Sequence, residues 1–70
     1  MSTSKTAGQI LRAARLKKGL TQVEAGKKAG LGKNTYPKIE RGVSRPSPES
    51  IKELIRVLDI ESTKIPYLLG

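Results

Sequence analysis

Most of the charged side chains in this sequence are cations. The 70 residues carry 14 Lys and Arg against 6 Asp and Glu, a formal net charge of +8, with no cysteine and no histidine. That inventory removes disulfides, thiolate zinc sites and imidazole acid–base catalysis together. Glu40 is the carboxylate to weigh as a catalytic acid, yet no second carboxylate stands at a useful spacing from it. Neither a nucleophile–base set nor a phosphate-cradling glycine loop is present, so the chain is expected to be no enzyme and to need no cofactor. What remains is ammonium, guanidinium and amide donors offered to an anionic partner.

These cations are unevenly placed. Residues 1–45 hold eleven bases and two acids, Glu24 and Glu40, a balance of +9; residues 46–70 hold three bases and four acids, a balance of −1. A surface charged only for solubility has no need to be lopsided, so the first region reads as polyanion-seeking, with nucleic acid as its natural partner. No apolar run approaches the ~20 residues of a membrane-spanning helix. The start, residues 1–6, lacks the apolar stretch of a secretory signal. A cytoplasmic location is expected.

The elements that must position these groups are short helices, since no run alternates as a half-buried strand would. Residues 1–6 read as an N-terminal arm whose last residue, Thr6, can cap a first helix; residues 7–70 read as one domain. Ala7, Ile10, Leu11 and Ala14 mark that helix, and Gly19 ends it. Thr21-Gln22-Val23-Glu24 has the form of a capping box opening a second helix, which stops at Gly30. A third is expected over about Lys33–Arg41, with Tyr36 and Ile39 inward and Lys33, Asn34 and Lys38 outward, closed by Gly42. Ser47-Pro48-Glu49 is an N-cap, a proline and a first-turn acid for a fourth, carrying the stripe Ile51, Leu54, Ile55 and Leu58. Ile65–Leu69 is expected to form a last short helix. The fold class is all-α, and the second and third helices, joined by a tight glycine-bearing connection, have helix-turn-helix geometry.

Three segments, Arg15-Leu16-Lys17-Lys18-Gly19-Leu20-Thr21-Gln22, then Ala29-Gly30-Leu31, then Ile39-Glu40-Arg41-Gly42, together resemble the lambda-repressor-like helix-turn-helix family of the Cro/repressor (XRE) type. The likeness spans roughly residues 7–65. It implies a compact five-helix bundle whose third helix enters the major groove of double-stranded DNA. By position, Gln22 would hold a phosphate and brace the recognition helix, Lys33, Asn34 and Lys38 would face the groove, and Arg41, Arg45 and the amides after Gly42 would meet phosphates. Arg15 and Glu40 resemble the family's structural pair. The chemistry suits these roles: lysine donates to guanine O6 and N7, an amide side chain pairs with adenine, and positions 34 and 38 share a helix face. The resemblance further implies a transcriptional regulator, a repressor of phage or bacterial type. It would bind as a homodimer joined through the C-terminal segment (Ile65, Tyr67, Leu68, Leu69). Antitoxins and restriction–modification controllers share the fold and can grip a toxin-like protein partner; a protein- or RNA-interaction module is the remaining alternative.

Two departures from the family pattern stand out. Ala25 and Gly26 replace a large apolar residue and an alanine, while Tyr36 replaces an aliphatic one, so the Tyr36 ring is expected to fill the space that Ala25 leaves. Pro37 falls inside the third helix, where it removes a backbone donor and crowds the preceding turn. The first turn must then be irregular, or the helix must begin nearer Tyr36.

Overall fold

The computed structural model describes residues 6–69; residues 1–5 of the expected arm, Gly70 and the Leu69 side chain lie outside the description. The described residues form five α-helices and no strand: α1 (Ala7–Lys17), α2 (Gln22–Lys28), α3 (Thr35–Glu40), α4 (Pro48–Leu58) and α5 (Ile65–Leu69), with a 3-10 turn at Ser62–Lys64 before the last. Among them no helix is long and apolar enough to cross a membrane.

Helix starts are set locally. The Thr6 hydroxyl accepts from the Gln9 amide, and the Gln9 side chain reaches back to the Thr6 amide. Thr21 and Glu24 do the same for α2, at 3.1 and 2.8 Å. The Ser47 hydroxyl accepts from the Ser50 amide, with Pro48 in the first turn where no donor is needed. Helix ends follow one pattern. At Gly42, φ is +80°, the Gly42 amide donates to the Ile39 carbonyl and the Val43 amide to the Lys38 carbonyl. This Schellman geometry satisfies carbonyls that the helix itself leaves open, and the same pair of bonds ends α1 at Gly19 and α2 at Gly30.

α3 is shorter than expected and begins later. Its first residue is Thr35, so Lys33 and Asn34 stand in the turn before it rather than on it. The cause is Pro37. As the third helical residue its missing N–H falls among the donors that have no intrahelical acceptor anyway, whereas a start at Lys33 would have required that bond. Six residues cannot hold a helix in water by themselves. Burial of Tyr36 and Ile39 does so instead, each apolar side chain of this size contributing about 1.5–3 kcal/mol.

Both join Ile10, Leu11, Ala25, Ala29, Ile51, Leu54, Leu58, Ile60 and Leu68 in one core. Tyr36 meets the α2 departure directly: a methyl group added at Gly26 would stand 3.1 Å from the Tyr36 Cβ. α1 packs tightly against the end of α3. A methyl group at Gly8 would sit 2.2 Å from the Glu40 carbonyl oxygen, so the two backbones touch where only glycine fits.

Candidate nucleic-acid interface

Helical geometry gives α3 two faces. Tyr36 and Ile39 point into the core, and Thr35, Lys38 and Arg41, spaced three apart, are exposed on the other side. Asn34 precedes this stripe, four residues from Lys38. Its backbone occupies the N-cap position, but its side chain makes no capping bond. Asn34 therefore does not spend its amide on the local backbone, the usual fate of this residue near a helix start. Among the described residues the side chains of Lys33, Asn34, Lys38, Arg41 and Arg45 enter no hydrogen bond or ion pair, and all are exposed. Thr35 belongs with them and was not anticipated. Its signal was its position three before Lys38 and one before the inward Tyr36.

Behind this exposed face lies a buried polar cluster. Arg15 Nε donates to Glu40 Oε2 at 2.7 Å, and Arg15 Nη2 to Glu40 Oε1 at 3.3 Å, with the two side chains only 10% and 3% exposed. Arg15 Nη1 donates to the Leu20 carbonyl at 2.9 Å. Gln22 Nε2 completes the set, donating to Glu40 Oε1 at 3.0 Å. One carboxylate at the end of α3 is thus tied to α1, to the α1–α2 connection and to the first residue of α2. No buried side-chain polar atom among the described residues is left without a partner.

The electrostatics of the cluster are self-consistent. Burial works to raise the Glu40 carboxyl, but the Arg15 bonds, the neighbouring Tyr36 hydroxyl and Gln22 outweigh it and hold Glu40 below the ordinary glutamate range. The Glu40 hydrogen bond raises Arg15 further, against the effect of its burial. Burial pushes the Tyr36 phenol well above its usual range, with Glu40 adding to the effect, so it stays neutral. At the exposed start of α2, the Thr21 backbone bond holds Glu24 low, preserving the capping box as a charged one.

Two expectations for this surface change. Lys33 and Asn34 are presented by a turn, so their directions follow the Gly32–Thr35 backbone, where the Thr35 amide donates to the Gly32 carbonyl at 3.0 Å. The amides after Gly42 are not open donors: those of Val43 and Ser44 both donate to the Lys38 carbonyl, at 2.9 and 3.2 Å. The left-handed Gly42 that ends the helix also turns them inward. Arg41 and Arg45 remain as the exposed cations of this loop. In the C-terminal segment, Leu68 is part of the core, Ile65 is half-buried and Tyr67 is exposed.

The sequence matches the helix-turn-helix family model over residues 11–65. No curated protein and no solved structure gives a match. The matched span runs from the middle of α1 to the start of α5, enclosing the capped α2, the Gly30 turn, the two-faced α3 and Glu40. With the family likeness and the fold in agreement, the chain belongs to the lambda-repressor-like (XRE-type) helix-turn-helix family of DNA-binding regulators.

Proposed function

We propose that this domain is a sequence-specific regulator of transcription, a repressor of phage or bacterial type, reading the major groove of double-stranded DNA with the exposed face of α3. The observation that carries this reading is the contrast across that helix: exposed donors with no partner among the described residues on one side, a locked buried face on the other. Asn34, Thr35 and Lys38 would contact base edges, Lys33 would reach from the preceding turn, and Arg41 and Arg45 would grip phosphates. Gln22 Nε2 has one hydrogen on Glu40 and a second available for a phosphate oxygen.

A module with so few base contacts gains operator-grade affinity by pairing, so a homodimer on a two-fold site is proposed, with half-sites about one helical turn, ~34 Å, apart. Tyr67 and Ile65 are its interface candidates; Leu68 is already used by the core. Selection of bound sequences from random duplex DNA, followed by mobility shift against a scrambled duplex, tests the central claim. A recovered two-fold motif bound in preference to its scramble is the expected result. Equal affinity for both duplexes would remove sequence-specific reading, and binding by monomers to single half-sites would remove the dimer.

A further inference from the structure

We infer that Tyr36 is a positioning residue for DNA binding: its buried hydroxyl, bonded to the Leu11 carbonyl beside the Arg15–Glu40–Gln22 cluster, sets where Gln22 and α3 stand relative to α1. This rests on the DNA-reading function proposed above. Packing alone does not call for a phenol here. Tyr36 is fully buried among apolar residues, and a ring without the oxygen would fill the same space. A hydroxyl taken from water is unfavourable unless it is bonded, so its presence in the core needs an account.

The Tyr36 hydroxyl donates to the Leu11 carbonyl of α1 at 3.4 Å, a long bond and weak by itself. Arg15 and Glu40 lie near enough for their charges to act on the phenol, in opposite directions, although among the described residues the hydroxyl's one hydrogen bond is to Leu11. Glu40 is in turn the acceptor for the Gln22 amide. Tyr36 and Glu40 lie four apart on α3, so one helical turn carries two attachments, the hydroxyl to the α1 backbone and the carboxylate to Arg15 and Gln22. Small displacements of Glu40 move the Gln22 amide with it. A network of this kind is coupled, so the hydroxyl is felt at Gln22 without touching it.

A double-mutant cycle on DNA binding separates this from a stability effect. Tyr36→Phe, Gln22→Ala and the double variant are titrated with the selected duplex and with its scramble, beside thermal melts of each protein. Tyr36→Phe is expected to weaken the selected duplex about two- to fourfold, the lower part of the range for one neutral hydrogen bond, as suits a long one. The scrambled duplex, held through phosphates alone, should change by less than about twofold. In the Gln22→Ala background the effect of Tyr36→Phe should largely vanish. Additive losses, or equal losses on both duplexes, overturn the inference. If Tyr36→Phe melts below the assay temperature, the wild-type protein decides by NMR. The Tyr36 hydroxyl proton should be protected from exchange, and its resonance should shift with that of the Gln22 amide when the selected duplex is added. A Gln22 response with no change at Tyr36 overturns the inference as well. A wild-type protein that shows no preference between duplexes sinks the functional reading itself, a result distinct from an additive cycle.

Discussion

The two ends of α3 are built on opposite principles. Its C-terminal end is fixed several times over: Glu40 binds Arg15 and Gln22, its carbonyl lies against Gly8, and Gly42 turns the chain so that two amides return to Lys38. Ahead of Tyr36, its N-terminal end has no side-chain tie of this kind among the described residues. Asn34 offers no side-chain cap, Pro37 lacks an amide, and Lys33, Asn34 and Thr35 are exposed. One end holds the helix to the body and the other leaves its donors unspent, so substitutions at the two ends should separate stability from recognition.

The largest effect is expected at Glu40. Glu40→Ala leaves the Arg15 guanidinium buried without its partner, which costs about 3–5 kcal/mol when a buried pair is broken on one side. Urea denaturation measures it. Because the folded-state carboxyl lies below its unfolded value, its stabilisation is complete above the ordinary glutamate range and is lost as pH falls through the lowered value. Across that acid window Glu40→Gln should therefore lose less stability than the wild type; parallel pH profiles would contradict the assignment. Next is Gly8→Ala, where a methyl group meets backbone rather than a movable side chain: about 1–3 kcal/mol, read as a melting temperature lower by roughly 4–8 °C per kcal/mol in a domain this small. An unchanged melt would mean that the α1–α3 contact is looser than drawn.

Tyr36→Ile should cost about 1–2 kcal/mol through the space it empties, and Ala25→Leu added to it should recover part of the loss. A double variant no better than the single would end the idea that the ring replaces a missing α2 side chain. The smallest stability effects belong to the free end. Asn34→Ala should stay within about 0.5 kcal/mol in denaturation, yet lower affinity by about 1–3 kcal/mol at one base position of the selected duplex. Arg41→Ala or Arg45→Ala should instead weaken all duplexes alike and reduce the salt slope by about one. If Asn34→Ala destabilises as Glu40→Ala does, the contrast between the two ends is wrong.

What could be read from the sequence was what is decided within a few residues. The Thr21–Glu24 box and the Ser47-Pro48 start place donor and acceptor within one turn, and both stand where their spacing predicted. The apolar stripe of α4 is similarly self-announcing, with Ile51, Leu54 and Leu58 buried as their period requires. Arg15 and Glu40 are 25 positions apart and came only through family likeness; their meeting depends on the tertiary fold. Gly8 carried no signal, because its partner is a carbonyl 32 residues away whose identity leaves no trace in composition. Pro37 did announce trouble in α3, but the direction of the remedy, a later start rather than a distorted turn, depended on how Tyr36 and Ile39 could both be buried. The amides after Gly42 were assigned outward by likeness, and the chain reversal at that glycine assigned them inward.

Pro37 has one more consequence. Helices often grow by a turn when they meet a ligand, trading chain freedom for contacts. Growth of α3 backward to Lys33 would need a bond from the amide of residue 37 to the Lys33 carbonyl, and proline has no hydrogen to give. That avenue of adaptation is closed, so in the proposed complex the leading edge would engage DNA in the shape it already has. Circular dichroism should accordingly register no gain in helicity from residues 32–34 upon complex formation, and affinity should carry no ordering penalty from that source.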